Sequence, residues 1–311
     1  MALPCNDASG CPSAHVHFGP RASSSLRLAS ACPPTIQACI IVPAGAGSRK
    51  GEAMAYQEVT VEKRGRVGIV TLNRPHRLNS LGRPMTDEMR QALEEFNRDP
   101  EVGAIVLTGT GRAFCSGADF ESFRAVAEGG ERFGVSGLAN WVGFVQQSKP
   151  IVCAINGYAV GAGLTLTLPC DVRIASDQAR LSMRFVRLGL LPELASTKLL
   201  AHIVGLTNAL EMMLTGRFVE AEEAYHMGLV NKVVPHDRLL DMAVEKAAEI
   251  AFNPDECLAA VKRLVWANLT EADLEAVQRR EMSEFATALQ GDAFREAVRA
   301  FFEKREPRFH G

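Results

Sequence analysis

The sequence has no excess of charge of either sign and no long apolar run. Its 311 residues include 34 Lys and Arg against 36 Asp and Glu, which gives a formal net charge of −2. Proteins that bind nucleic acid usually carry a basic patch or stripe, and anionic membrane surfaces attract basic segments for the same reason. No apolar run approaches the ~20 residues that a bilayer-crossing helix needs. We therefore expect neither a nucleic-acid partner nor a membrane partner.

Short motifs that mark common enzyme classes are also missing. There is no GxxxxGK(S/T) phosphate loop, no GxGxxG directly after a strand, no GxSxG nucleophile turn and no HExxH zinc motif. Two of the seven histidines lie in the first 53 residues, and the other five are scattered: His76, His202, His226, His236 and His310. Each is better explained as a surface or structural residue than as a ligand or a base. We expect no metal and no redox cofactor.

The first 53 residues differ from the rest of the chain. They hold four of the eight cysteines, only two acids and no periodic apolar pattern. An Arg- and Ser-rich, acid-poor N-terminus is typical of an organellar transit peptide, but the stretch from Met54 also looks like a natural protein start. On either interpretation residues 1–53 lie outside the fold. The expected location is the cytoplasm, or a mitochondrion or other organelle if the segment is a transit peptide.

Strand and helix patterns alternate from residue 67 to about residue 193. At 47% hydrophobic content the chain can bury a sizeable core, in one large domain or two smaller ones. A helical spacing spans 85–99. The order of elements predicts an α/β protein with right-handed crossovers and a largely parallel sheet. The predicted strands are 67–75 with its closing Asn-Arg-Pro turn, 104–109, 150–155, 171–176 and a short piece at 179–183.

After about residue 193 the pattern becomes almost wholly helical. One helix ends at Gly228. The apolar faces of the later helices are too extensive to stand alone in water, so they should pack on the core or on another subunit. The predicted amphipathic helices are 236–252, 254–268, 271–289 and 292–304.

Two glycine-rich segments follow predicted strands, "GRAFCSGADF" at 111–120 and "NGYAVGAGLTL" at 156–166. Parallel sheets bind ligands beyond the carboxyl ends of their strands. Small residues there leave backbone N–H groups bare, so two such loops side by side could aim two N–H groups at one oxygen, as in an oxyanion hole. The alternative is that these glycines serve only tight turns and close packing of a helix on the sheet.

Four segments resemble the enoyl-CoA hydratase/isomerase (crotonase) superfamily. They are "NRPHRLNSL", "GTGRAFCSGADF", "KPIVCAINGYAVGAGLTLTLPCDVRIAS" and "MLTGRFVEAEEAYHMGLVNKVV". The resemblance runs from about Tyr56 to Phe309. It implies a spiral of ββα units at 54–250, a helical C-terminal trimerisation region at 251–311, a CoA thioester as substrate, and trimers or dimers of trimers.

The resemblance also implies roles for particular residues. The oxyanion hole would use the N–H groups of Ala118 and Ala162, next to Gly117 and Gly161. The two glutamates with which hydratases of the family activate a water would fall at Thr165 and Phe185, and both are missing here. A threonine cannot act as a base near neutral pH, so the usual two-carboxylate addition of water is not available.

A different acid, Glu193, follows Pro192 in "LGLLPE". A proline at a helix start followed by an acid is also ordinary capping chemistry. The segment resembles the "LG..PE" of the peroxisomal type of Δ3,Δ2-enoyl-CoA isomerase, in which a single carboxylate suffices. Glu193 in an apolar pocket should have a raised pKa, partly opposed by the helix N-terminus.

Other residues are expected to contact the substrate. Asp119 and Phe120 follow the first oxyanion position, although Asp119 is usually structural in the family. Arg77 stands where the family often has Ala, and it could still meet a CoA phosphate. Phe301 and Lys304 of the closing helix would approach the CoA nucleotide of the same or a neighbouring subunit. The alternative is that they lie on an ordinary amphipathic helix. The acyl end is expected near Phe133, Trp141 and Phe144 in the segment 131–147, where plain core packing is the alternative.

These features predict an enoyl-CoA isomerase that moves a 3-enoyl double bond to position 2, with Glu193 as the base. One alternative keeps the pocket and changes the reaction to hydration, thioester hydrolysis or C–C cleavage. The other alternative is an acyl-CoA-binding protein without turnover.

Overall fold

Short continuous apolar segments of the sequence form the central strands of a sheet. The computed structural model describes residues 56–130 and 136–310, so the predicted extension 1–53 and Phe133 lie outside the described residues. The strands are β1 (Val59–Arg64), β2 (Val67–Leu72), β3 (Ala104–Gly109), β4 (Ala113–Cys115), β5 (Ile151–Ile155), β6 (Tyr158–Val160), β7 (Val172–Ser176), β8 (Arg180–Ser182), β9 (Val219–Glu220) and β10 (Lys232–Val234).

Helices lie between most of the strands and continue beyond the last one. They are α1 (Arg83–Arg98), α2 (Phe120–Ala127), α3 (Trp141–Gln147), α4 (Ala162–Thr165), α5 (Ser196–Val204), α6 (Leu206–Thr215), α7 (Ala221–His226), α8 (Leu239–Ala251), α9 (Asp255–Asn268), α10 (Leu274–Ala288) and α11 (Asp292–Glu303). The predicted α/β class is confirmed, and so are α1 and the four C-terminal helices, within a few residues at each end. Helix α5 begins at Ser196, so the prediction of a helix start at Pro192 is wrong. No helix in the two described ranges has both the length and the apolarity needed to cross a bilayer.

Two sheets replace the one that the sequence pattern predicts. The larger has the order β1-β2-β3-β5-β7-β10 and is parallel except for the β1–β2 pair. The smaller has the order β4-β6-β8-β9, in which β4, β6 and β8 run parallel. Strands β3 and β5 are buried on both faces, which explains their continuous apolar sequences. Strands of three residues show no period, so β4 and β6 were not predicted.

Each face of the larger sheet has its own apolar core. Helix α8 covers one face with small residues one turn apart, Ala243, Ala247 and Ala251, so its backbone lies close to the strands. Gly103 permits this approach, because a Cβ at that position would lie 2.8 Å from the Cβ of Ala251. Helix α1, α3 and the smaller sheet cover the other face. This layered packing leaves the strand ends free for a site.

The C-terminal helices are only partly covered by the rest of the chain. Helix α9 is anchored to the core by the ion pair of Lys262 Nζ with Asp171 Oδ2, at 2.7 Å, and by Trp266. Further along, large apolar side chains are exposed: Leu274, Met282, Phe285, Phe294, Phe301 and Phe302. All the described residues belong to one compact unit. The expected boundary between residues 250 and 251 stays a prediction.

Candidate active site

Three chain segments converge at the carboxyl edge of the smaller sheet. Residues 116–119 follow β4, residues 161–165 follow β6, and the segment 183–195 follows β8. Because β4, β6 and β8 are neighbours and parallel, their carboxyl ends lie side by side. The rule that places ligands at this edge of a parallel sheet therefore applies here to the smaller sheet. The sequence placed the two glycine-rich loops directly after β3 and β5, one strand too early.

Two glycines let the first two segments touch. A Cβ on Gly117, whose φ is +94°, would lie 2.7 Å from the carbonyl oxygen of Val160. A Cβ on Gly163 would lie 2.1 Å from the carbonyl oxygen of Cys115. Real Cβ atoms do not approach backbone oxygens so closely, so both positions require glycine. The close approach brings the backbones that carry Ala118 and Ala162 together.

The N–H groups of Ala118 and Ala162 are both left without a protein acceptor. Leu81 forms a parallel bridge to the first loop: its N–H donates to Gly117 O at 2.7 Å, and its carbonyl accepts from the Asp119 N–H at 3.0 Å. Ala118, between those two residues, points its own N–H the other way. Ala162 opens α4, where the first N–H groups have no acceptor within the helix. Within the described chain neither N–H donates to a protein atom, so both can serve a ligand oxygen.

A cavity of about 310 Å³ opens beside these two N–H groups. Its wall is mostly apolar, with two arginines and no acid. The lining residues are Ser116, Gly117, Ala118, Phe120, Phe123, Val160, Gly161, Ala162, Arg184, Phe185, Arg187, Leu188 and Leu190. A larger cavity of about 710 Å³ lies beneath α9. Its wall includes neither free N–H group, so we place the candidate active site at the smaller cavity.

Glu193, three residues after Leu190 of the cavity wall, is held by Thr165. The Thr165 hydroxyl donates to Glu193 Oε1 at 2.5 Å. Thr165 itself is fully buried and sits one helical turn after Ala162. Glu193 and Thr165 are not part of the cavity wall. The carboxylate therefore stands behind the turn that carries the second free N–H, at the inner end of α4.

Burial sets the protonation behaviour of Glu193. Loss of solvent raises the pKa of this carboxyl, and the hydrogen bond from Thr165 opposes only part of the rise. The sequence attributed the opposing effect to a helix N-terminus, but α5 begins three residues later. The apolar setting is as predicted, and the hydroxyl of Thr165 replaces the helix as the stabilising partner. A carboxyl with a raised pKa is suited to take up and release a proton near neutral pH.

The backbone after Glu193 is strained. Leu194 and Ala195 have φ values of 52° and 57°, in the left-handed region that non-glycine residues rarely adopt. Each such residue costs roughly 1–2 kcal/mol. The conformation is held because Leu194 packs against the main core and the Ser196 N–H donates to Glu193 O at 3.0 Å. Strain of this kind clusters at functional sites.

Asp119, the other acid near the loops, has hydrogen-bond partners that hold the local structure in place. Its carboxylate accepts from Arg74 Nη1 at 2.7 Å and caps α2 by accepting from the Glu121 N–H at 3.1 Å. Burial alone would raise the pKa of Asp119, but this N–H and Arg74 outweigh burial and lower it. Asp119 is therefore held as an anion.

The remaining predicted residues divide into two groups. Phe120 and Phe185 line the cavity together with Gly117 and Gly161. The Phe185 ring lies over Gly161, 3.8 Å from where a Cβ would be. It fills the place that the resemblance assigns to the second glutamate. The substrate-binding roles of these residues stay predictions.

Other predicted contacts lie away from the cavity. Trp141 is buried and donates from Nε1 to Leu166 O at 2.8 Å, and Phe144 packs under the Arg90 guanidinium. Neither lines the cavity, so the prediction of an acyl-end wall at these two residues is wrong in favour of core packing. Phe301 is 78% exposed, and Lys304 caps the end of α11 with a left-handed backbone. Arg77, also exposed, lies outside the cavity wall. For these three the nucleotide contacts stay predictions.

Sequence reasoning missed several supporting residues. Asn79 is fully buried and its side-chain amide donates to the carbonyls of Thr110 and Ala113, at 3.0 and 2.8 Å. It ties the segment after β2 to the end of β3 and to the start of β4. Arg184 and Arg187 line the cavity, and among the described residues neither forms an ion pair. Arg184 lies 5.0 Å from the Phe218 ring centre and Arg187 donates to Thr215 O.

The chain is similar to a known protein family and to named proteins. The family model described as "Enoyl-CoA hydratase/isomerase" matches residues 62–311. A relative from Dictyostelium discoideum named "Probable enoyl-CoA hydratase, mitochondrial" is 38% identical over 251 residues, 81% of this chain and 90% of that protein. The "Short-chain-enoyl-CoA hydratase" of Clostridium acetobutylicum is 33% identical, over 81% of this chain and 97% of the relative.

Solved structures agree with the family model. The crystal structure of an enoyl-CoA hydratase from Bacillus anthracis superposes with a TM-score of 0.75 at 31% identity, covering 81% of this chain and 99% of that one. The relatives' names fit the hydratase alternative better than the isomerase prediction. The predicted crotonase-like fold is confirmed. The chain belongs to the enoyl-CoA hydratase/isomerase family.

Proposed function

We propose that this protein isomerises 3-enoyl-CoA thioesters to 2-enoyl-CoA thioesters, with Glu193 as the only acid/base group. The observation that supports this proposal best is the pair of acceptor-free N–H groups at Ala118 and Ala162 with one buried carboxylate behind them. A reaction that needs an oxyanion hole and a single proton carrier fits this set of groups. A reaction that needs two carboxylates does not, because Thr165 and Phe185 occupy the positions that the family uses for them.

The proposed reaction moves one proton and one double bond. The Glu193 carboxylate removes a proton from C2 of the substrate, and the electron pair spreads into a dienolate whose oxygen accepts from the two N–H groups. Glu193 then returns the proton to C4, so the double bond lies between C2 and C3 and the mass is unchanged. The two N–H groups stabilise the negative charge that develops on the thioester oxygen in the transition state more than they stabilise the uncharged substrate. This difference lowers the barrier. The apolar surroundings raise the pKa of Glu193, which makes its carboxylate a stronger base for removing the proton from C2.

The alternative reaction is hydration of a 2-enoyl-CoA. It is favoured by the names of the relatives, which are hydratases. In this chain Glu193 alone would have to activate the water. The same oxyanion hole would hold the enolate that forms when water adds to C3.

Products separate the two reactions. Purified residues 54–311 are incubated with 3-hexenoyl-CoA and, separately, with 2-hexenoyl-CoA, and products are followed by mass and by the absorbance of the conjugated thioester. Isomerisation gives conjugation at constant mass, and hydration adds one water. Glu193→Gln should lower turnover about 10²–10⁴-fold in either case, while thioester binding persists. Glu222→Gln, the same exchange at an exposed position, is the control.

Binding of both thioesters without turnover by the wild type would contradict the proposal. It would favour a binding protein or another thioester reaction, such as hydrolysis or C–C cleavage.

We also propose that the chain assembles into trimers. The support is the row of exposed apolar residues on α10 and α11, which a single chain leaves in water. In a trimer Phe301 and Lys304 could approach the CoA nucleotide bound by a neighbour. Light scattering of the purified protein measures the mass: a monomer contradicts the proposal, and a hexamer extends it to a dimer of trimers.

A further inference from the structure

We propose that the Thr165 hydroxyl is a positioning group that stabilises Glu193 in both of its protonation states by exchanging hydrogen-bond partners. Thr165 touches no reacting atom; it acts through Glu193. The inference therefore rests on the proposed role of Glu193 as the proton carrier. Threonine stands here at the position that the resemblance assigns to a glutamate in hydratases. Its hydroxyl can form hydrogen bonds to Glu193, which a missing acid alone would not explain.

The geometry gives the Thr165 hydroxyl two acceptors for one proton. Oγ1 lies 2.5 Å from Glu193 Oε1 and 3.3 Å from Ala162 O. A hydroxyl has one O–H to donate and two lone pairs with which to accept. Only one of the two contacts can be a donated hydrogen bond at any moment. The short one is made while Glu193 is ionised, since charged acceptors give the stronger bond.

When Glu193 takes up a proton the pattern reverses. The protonated carboxyl becomes a donor, and Thr165 Oγ1 can accept from it. The threonine proton then turns to Ala162 O, which lies one helical turn back. Both states keep the Thr165 hydroxyl hydrogen-bonded to Glu193. Because Thr165 is fully buried, an unpaired hydroxyl would be costly in either state. The exchange needs only rotation about one bond, with no movement of the backbone.

No charged group competes for Glu193. The titratable residues on the elements around it are Cys115 on β4, Tyr158 on β6, Arg184 and Arg187 on the turn after β8, and Lys198 and His202 on α5. Among the described residues none of these forms an ion pair or a hydrogen bond with Glu193, and Thr165 is its one side-chain partner. The hydroxyl therefore orients the carboxylate, and it offsets part of the rise in proton affinity that burial causes.

Two substitutions separate positioning from packing. Thr165→Val keeps the size and removes the hydroxyl, and Thr165→Ser keeps the hydroxyl and removes a methyl group. The measured quantities are kcat and kcat/KM for 3-hexenoyl-CoA against pH, and the melting temperature of each full chain. Thr165→Val should lower kcat roughly 10–100-fold, the size of effect expected for a hydrogen bond to a charged group. It should also move the ascending limb of the pH profile upward, because the ionised carboxylate loses its donor. Thr165→Ser should restore both.

Both variants should melt below the wild type. Valine leaves the Glu193 carboxylate without its donor, and serine leaves a small void. A valine variant with wild-type kcat and wild-type pH profile would overturn the inference. So would a serine variant that is as inactive as the valine variant, since packing would then explain both. These outcomes are distinct from failure of the proposed function, in which the wild type does not isomerise or Glu193→Gln remains active.

Discussion

The carboxylates on the two sides of the active-site cavity have opposite environments. On the side of the loop after β4, Asp119 is paired with Arg74 and bonded to the start of α2, so the loop is anchored and the pKa of the acid is lowered. On the side of the segment after β8, Glu193 has a hydroxyl as its partner, a strained backbone and exposed apolar neighbours. The difference indicates which acid can move a proton. An acid held by a cation fixes structure, and an acid held by a neutral group keeps a pKa that chemistry can use.

The largest effect on activity and stability is expected at Gly163 of α4, which packs against the end of β4. Gly163→Ala would place a Cβ 2.1 Å from Cys115 O, and backbone on both sides must move. We expect activity to fall about 10²-fold or more, because the Ala162 N–H leaves its position, and stability to fall by roughly 1–3 kcal/mol. Turnover and chemical denaturation measure the two losses.

Gly189→Ala tests the same exchange on the open side. A Cβ there meets nothing within 4 Å, and only the φ of +67° opposes it. Its stability cost should stay near 1 kcal/mol. Equal losses of stability from Gly163→Ala and Gly189→Ala would contradict the distinction between an anchored side and an open side.

Asp119→Asn should destabilise the protein by about 2–3 kcal/mol at pH 7. Arg74 loses its closest partner while largely buried, and α2 has a weaker cap. The pKa of Asp119 is lowered in the folded state, so its stabilisation is present above the unfolded pKa of about 3.9 and is lost as the pH falls through the folded pKa. Denaturation at pH 7 and pH 3 should show a difference that shrinks on acidification. A difference that is constant with pH would mean that the ion pair is not its source.

Glu193→Gln should have the opposite sign and a smaller size. The pKa of Glu193 is raised in the folded state, so the folded wild type binds the extra proton more tightly than the unfolded chain does. Wild-type stability therefore falls as the pH rises from the unfolded pKa of about 4.3 through the folded pKa, and then levels off. The glutamine variant escapes this loss and should be more stable by about 1 kcal/mol above that window. If it is less stable at pH 8, Glu193 belongs with Asp119 as a structural acid.

Ala195→Gly should produce the smallest change. Glycine relieves the left-handed strain at φ 57° but adds freedom to the unfolded chain, and the two effects nearly cancel, leaving about 0–1 kcal/mol of stabilisation. Activity tests the role of the strain, because a looser segment holds Glu193 less well. We expect a modest fall in kcat with no loss of melting temperature. A clear loss of stability would show that the conformation is not strained.

Predictions from sequence succeeded where patterns are long. Strands such as β3 and β5 and helices such as α1, α8 and α9 carry enough residues for their period to be recognised. The short strands β4 and β6 have three residues each, and both loops were placed one strand early as a result. Trp141 and Phe144 were expected at the acyl end because aromatic residues look alike whether they line a pocket or fill a core.

The site shows the same division. Gly117, Gly161 and Gly163 indicated backbone N–H groups without covering side chains. The motif resemblance pointed to Ala118, Ala162 and Glu193. Each of these predictions used residues that are neighbours in the chain. Nothing in the sequence links Thr165 to Glu193, which are 28 positions apart, or Arg74 to Asp119, which are 45 apart. The first pair exists because β6 and β8 are parallel neighbours whose following segments lie side by side. The second exists because the segment after β2 bridges the loop after β4 at Leu81 and Ala118. Local pattern and composition determined the elements and the candidate groups. Only the tertiary structure decided which carboxylate meets a cation and which meets a hydroxyl, because proton affinity depends on what surrounds a group in space.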